Sequence, residues 1–226
     1  MLGKLALAFA FLALDGVAAA QQQPFGGQPP PAPPPPASYS PQYGYRAPGA
    51  YVHDGFYLRL DAGIGGTVFQ TNDSDFKVSG FGGTFGVAAG GAIAPNLILY
   101  GEFLADIAGN PDVTMNGTTF GTRGVSAGVI GLGGGIAYYF MPVNIYISLT
   151  VSAARLSVSD DDGEIAHSPW GIGGSIMVGK EWWVSENWGL GIALHAYGGR
   201  INDTVFDQDV TWSFGAIALA FSATYN

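Results

Sequence analysis

The sequence contains no cysteine, which removes a disulfide framework, a thiolate nucleophile and a Cys-ligated zinc site. Charge is also scarce: Asp, Glu, Lys and Arg make up 11% of the residues, where a soluble surface usually carries roughly a quarter or more. Positive charge is the rarest. The 8 cations (Lys4, Arg46, Arg59, Lys77, Arg123, Arg155, Lys180 and Arg200) face 17 acids, for a net charge of −9, and they form no cluster. A basic nucleic-acid-binding surface is therefore excluded. No phosphate-cradling loop, HExxH zinc motif or dinucleotide fingerprint occurs, so no cofactor is expected. What the chain has in quantity is glycine, 36 of 226 residues, and apolar side chains, 48% of the total. That is too apolar for intrinsic disorder.

The two ends of the chain differ in kind from its body. Lys4 precedes an apolar run from Leu5 to Leu14 and the small residues Ala18-Ala19-Ala20, the pattern of a secretory signal peptide, which assigns residues 1–20 to it. The run is roughly half as long as a spanning helix requires. From Gln21 to His53 the composition is Gln, Pro, Gly, Ser and Tyr around the stretch from Pro29 to Pro36, which favours polyproline II. Residues 21–53 read as a Pro/Gln-rich linker and residues 54–226 as the folded domain.

In that domain no apolar stretch is long enough for a transmembrane helix, and the dominant period is two. Phe56, Leu58, Leu60, Ala62 and Ile64 alternate with Tyr57, Arg59, Asp61 and Gly63. A strand with one apolar and one polar face follows. Leu97, Leu99, Phe103 and Ile107 likewise oppose Tyr100, Glu102 and Asp106; Trp188, Leu190, Ile192 and Leu194 oppose Gly189, Gly191, Ala193 and His195. The last strand sets Ile217, Leu219, Phe221 and Tyr225 against Ala216, Ala218, Ala220, Ser222 and Thr224, which are small enough to line a narrow interior. Four further segments, about 79–94, 122–140, 145–157 and 170–184, read as strands by composition and boundaries, with their facing left open. Arg155 falls on the apolar side of its segment unless a bulge shifts the register.

Short turns at 94–96, 141–144 and 184–187 alternate with longer polar loops at about 70–78, 109–121, 159–168 and 201–209. Eight strands, three tight turns and four long loops predict an all-β, antiparallel up-and-down barrel with both chain ends on the tight-turn side. A soluble sandwich or lipocalin-like barrel would expose the opposite strand faces, which are Gly, Ala and Ser with few charges; a narrow interior suits them better. Aromatic residues cluster near both sets of connections, as at the two interfaces of a membrane.

On this strand number, turn alternation and the terminal strand from Ser213 to Tyr225, the chain from about Asp54 to Asn226 resembles the small eight-stranded outer-membrane β-barrels of Gram-negative bacteria, the class of the OmpA transmembrane domain and OmpX. Asn226 follows Tyr225 where that family usually ends on the aromatic itself. The resemblance implies an outer-membrane location with periplasmic termini, and as partners the outer-membrane lipids, lipopolysaccharide and the outer-membrane assembly machinery. It implies a structural or cell-surface interaction role rather than catalysis. A narrow small-solute channel and a lipid A-modifying barrel enzyme are the alternatives.

The alternation turns Arg59, Asp61, Glu102, Asp106 and His195 into the barrel, where they are the candidates to fill the lumen. A desolvated Arg59 needs a carboxylate, with Glu102 the first choice and Asp61 the second. The inward Gly63 and Ala193 are expected to accept a hydroxyl. Asp160, Asp161, Asp162 and Glu164 form a candidate weak surface cation site in an acidic loop, although the EF-hand spacing is absent. Gly124-Val125-Ser126-Ala127-Gly128 matches a nucleophile elbow in letters, but it lies in a Gly-rich strand rather than at a strand-to-helix turn. His195 has Tyr197, not serine, two residues away, and His167 with Ser168 lies in a solvated loop. No catalytic set is assigned.

Overall fold

The computed structural model describes residues 51–72, 76–205 and 208–226. The expected signal peptide and most of the linker lie outside the described residues, as do Asp73, Asp75 and Asp207. In chain order the strands are β1 (Phe56–Thr71), β2 (Lys77–Ala94), β3 (Leu97–Gly109), β4 (Asp112–Met115), β5 (Thr118–Gly121), β6 (Val125–Phe140), β7 (Ile145–Asp160), β8 (Gly163–His167), β9 (Gly171–Trp183), β10 (Trp188–Val205) and β11 (Gln208–Tyr225). β4 pairs with β5 as a small hairpin in the connection between β3 and β6, and β8 folds back on the end of β7. The other eight strands are the staves. Each pairs antiparallel with the next, and β1 pairs with both β2 and β11, so the sheet closes on itself.

The period-two pattern decides what faces out. Leu60, Ile64, Leu99, Phe103, Ile192, Leu194, Leu219 and Phe221 are all solvent-accessible apolar side chains, while Tyr57, Arg59, Tyr100, Glu102, Ala193 and Ala220 between them are buried. The four segments of open facing resolve the same way. In β2, Phe81 and Phe85 point out and Thr84 and Ala88 in; in β6, Leu132 and Ile136 point out and Tyr139 in; in β7, Leu149 and Val151 point out and Ser148, Thr150 and Ser152 in; in β9, Ile176 and Val178 point out and Met177 and Glu181 in. A soluble protein does not present a continuous apolar wall of this extent. It is the lipid-facing surface of a barrel that crosses a membrane, where closure satisfies every backbone hydrogen bond.

At the loop end the wall turns polar. Gln70, Ser213 and Arg200 are cross-strand partners in one row of the outer face. Arg155 also belongs to that face: the β6–β7 register runs through Ile130↔Arg155 without a shift, so no bulge rescues it. Its Nε donates to the Ser168 carbonyl at 3.1 Å, and its guanidinium lies 5.9 Å from the Trp170 ring centroid. At the opposite end Lys180 also sits on the outer face, with Nζ donating to the Val143 carbonyl and lying 5.4 Å from the centre of the Trp182 ring. Both cations rest their stems on the wall and deliver the charge to a strand end, as snorkelling side chains do.

Candidate functional site: the filled lumen and its closed mouth

The interior is built in layers. The small inward residues of the last strand leave room for large ones elsewhere, and the cross-strand rows show how. Arg59 on β1, Ala88 on β2 and Glu102 on β3 lie in one row, so the methyl of Ala88 alone separates the two charged stems. One row further, Asp61 is beside Gly86, where an added Cβ would lie 2.6 Å from the carboxylate oxygens. Gly63 is also restricted. A Cβ there would overlap the backbone carbonyl of Leu219, so the expectation that Gly63 accepts a hydroxyl does not hold.

Arg59 is fully buried at the centre of a polar network. Its Nη2 donates to Glu102 Oε1 at 2.9 Å and its Nη1 to Ser148 Oγ at 3.3 Å, while Nε lies 3.7 Å from Asp61 Oδ2. The guanidinium also lies 5.5 Å from the ring centroids of both Tyr100 and Tyr146. Thr150 Oγ1 donates to the second Glu102 oxygen at 2.6 Å and shares a 2.9 Å hydrogen bond with the Tyr100 hydroxyl. The geometry therefore brings Arg59, Asp61 and Glu102 together. Asp106 and His195 are buried in the same interior, and His195 stacks on Tyr197 at 6.4 Å between ring centroids. Ser152 Oγ and the Tyr197 hydroxyl are 3.0 Å apart.

Glu181 is a lumen carboxylate that the alternation did not yield. It is 1% exposed, and its Oε1 accepts from Thr224 Oγ1 at 2.6 Å and Ser222 Oγ at 3.2 Å. Its partners are the small polar residues on the inner face of the last strand. The signal was hidden by Lys180, whose place on the outer face breaks the apolar alternation of β9.

The tight-turn end is closed by the segment before β1. His53, assigned by composition to the linker, is completely buried and stacks on Tyr139 at 3.6 Å between ring centroids, with Trp183 5.0 Å away. Its two ring nitrogens lie 2.8 Å from Asn226 Oδ1 and 2.9 Å from Asn144 Oδ1. Its carbonyl accepts from Asn96 N at 2.9 Å, and Tyr51 N donates to the Glu186 carbonyl at 3.2 Å. One short strap thus touches all three tight turns and the last residue of the chain. Asn96 and Asn144 hold these turns with φ of 64° and 53°, a left-handed conformation that asparagine tolerates better than most residues. Burial is the main influence on the His53 imidazole and holds its pKa below the ordinary value, with the Asn144 and Asn226 hydrogen bonds and Asp54 opposing.

The remaining candidates do not assemble into a reactive set. Ser126 lies in β6, paired with Gly109 and Ser159, in regular strand. Ser168 is nearly buried; its Oγ donates to the Pro169 carbonyl at 2.8 Å and accepts from Leu156 N at 3.0 Å, whereas His167 Nδ1 lies 2.9 Å from Glu164 Oε1. The hydroxyl and the imidazole are committed to different partners. Asp160 Oδ1 accepts from the backbone of Asp162 and Gly163 in the β7–β8 turn, at 2.9 and 3.2 Å. Among the described residues no three acids or histidines group as metal ligands.

Eight staves close into one barrel with an apolar wall and a polar interior. The fold is that of the small eight-stranded outer-membrane β-barrels. No family model and no curated protein matches the sequence. Among solved structures, Neisserial surface protein A is similar at 17% identity and a TM-score of 0.49, over 75% of this chain and 96% of that one. The outer membrane protein OprG from Pseudomonas aeruginosa is similar at 14% identity and a TM-score of 0.44, over 78% and 99% of the two chains. Ail, the attachment invasion locus protein of Yersinia pestis, is similar at 9% identity and a TM-score of 0.39, over 75% and 99%.

Proposed function

We propose that this chain is an outer-membrane barrel with a sealed lumen, acting as a structural or cell-surface interaction protein rather than as a porin or a catalyst. The observation that carries the reading is the double closure of the interior. A hydrogen-bonded ion-pair layer around Arg59 and Glu102 is backed by the tyrosines Tyr57, Tyr139 and Tyr146, all fully buried, and below them by the His53 strap. Eight strands enclose a space that side chains can nearly fill, and here large side chains occupy it. The lumen carries four buried carboxylates (Asp61, Asp106, Glu102 and Glu181) against Arg59 and His195, so any residual leak would favour cations.

In this reading the acidic loops face outward, toward the lipopolysaccharide leaflet. The Pro-rich segment and both termini face the periplasm, and the terminal strand is the part that the assembly machinery engages. The test is reconstitution of the purified full-length protein in liposomes, with conductance and release of lipid acyl chains measured on the same preparation. Small or absent conductance and no acyl release are expected. A stable channel of porin size would overturn the sealed lumen, and turnover of lipid would overturn the non-catalytic role.

A further inference from the structure

The loop end of the barrel is not filled as the other end is. Above the buried layer formed by Leu104, Val129, Tyr197 and Phe214, the interior opens into a cavity of about 310 Å³. Its wall combines inward residues of the staves, among them Phe69, Val78, Leu156 and Trp212, with side chains of the long connections, among them Phe76 and Val113. Phe76 and Trp212 meet edge to face at 5.8 Å. The volume falls in the range of small-molecule sites, and a mostly apolar wall with a few polar groups is their usual composition.

Two features narrow the class of ligand. Asp203 is the one carboxylate among the described residues that line the cavity, and it stands two residues from the buried Ile201 on the inward face of β10. Around the mouth, Asp112, Asp160, Asp161, Asp162, Glu164 and Asp209 are exposed. They outnumber the cations Lys77, Arg123, Arg155 and Arg200 of the same end, so their joint field attracts cations to the opening and repels anions. An aromatic pair and a carboxylate that line one apolar recess suit an organic ammonium group, which gains cation–π attraction from the indole and donates an ionic hydrogen bond to the acid.

We propose that this cavity is a blind binding site for a small aryl- or alkylammonium compound, with its apolar body against Phe69, Val78, Leu156 and Trp212 and its ammonium group at Asp203. The site binds rather than conducts, because the layer beneath it is closed. That the site is blind rests on the sealed-barrel reading, but the ligand preference fails separately from it: a conducting barrel would still show, or lack, that preference.

The full-length protein in phosphatidylcholine nanodiscs is titrated with phenethylamine, phenethyl alcohol and phenylacetate, with empty nanodiscs as the blank. These three probes share one apolar body and differ in charge. Calorimetry is expected to rank the amine first and the acid last, with the amine about tenfold tighter than the alcohol. Asp203→Asn should remove most of the amine's advantage over the alcohol. Ala127→Phe, which fills the cavity from β6, should abolish binding of both; a control of its folding is the heat-resistant mobility of the barrel on gels. Equal binding of amine and acid, indifference of the amine to Asp203→Asn, or full binding by a folded Ala127→Phe variant would each overturn the proposal.

Discussion

Arg59 on β1 and Glu102 on β3 meet at 2.9 Å across the small side chain of Ala88, the residue that faces both of them from the strand in between. The pair is buried on both sides, at 1% and 4% side-chain exposure. Removing one partner of a buried pair leaves the other uncompensated, at a cost of about 3–5 kcal/mol. Glu102→Ala is expected to lower the unfolding free energy of the lipid-embedded barrel by that order, as read from urea denaturation. Glu102→Gln, which keeps the side-chain volume and one acceptor oxygen for Arg59, should cost less. An equal loss in the two variants would mean that the charge of Glu102, rather than its packing and hydrogen bonds, holds this layer.

The lipid-facing assignment is tested at Leu99 and Ile192. Each is more than half exposed on the apolar wall, and arginine there should cost roughly 2–4 kcal/mol near the bilayer midplane. Ala193→Ser, directed inward, should assemble as the parent does. Poorer assembly of Ala193→Ser than of Ile192→Arg would reverse inside and outside.

Gly63 is the exception among inward positions. Because its missing side chain makes room for the Leu219 carbonyl, Gly63→Ser should impair folding while Ala193→Ser does not. Comparison of the folded fractions of the two variants after refolding into detergent decides it.

Much of the barrel is legible in the sequence because lipid and a narrow lumen impose opposite chemistry on alternate residues. β1, β3, β10 and β11 carry that alternation cleanly, and the Arg59–Glu102 pairing follows from inward facing and the need of a buried guanidinium for a carboxylate. β7 and β9 are harder to read because Arg155 and Lys180 stand on the outer face near strand ends, where a long stem can carry its charge out of the hydrocarbon. Glu181 was lost with that register. His53 was out of reach for another reason: its partners Asn96, Asn144 and Asn226 are distant along the chain, and nothing local marks a strap that folds under the barrel. The loop-end cavity depends on the β4–β5 hairpin and on β8, short strands inside segments that composition marks only as polar loops.

The strap is expected to respond to pH. With the folded-state pKa of His53 held below its ordinary value near 6.5, the unfolded or released strap binds the proton more readily than the docked one. Docking is fully stable above that value and weakens as the pH falls below it, until the folded-state pKa is passed. Amide exchange at residues 51–55 should therefore quicken from pH 7.5 to pH 5, after correction for the intrinsic rate, and His53→Gln should flatten the dependence. Slower corrected exchange at the lower pH would contradict the sign.

The direction of insertion is read by a tag at Asp161. Labelling on intact cells is expected from the proposed orientation, in which the long loops face outward and the tight turns face the periplasm. Labelling that requires permeabilised cells would place the loops in the periplasm.

Single-channel recording of the full-length protein in planar bilayers decides whether the lumen is closed. The parent should give small or no conductance, and Arg59→Ala or Glu102→Ala should raise it by removing the ion-pair layer, with cations favoured by the remaining carboxylates. A parent conductance of porin size, unchanged in both variants, would contradict the account.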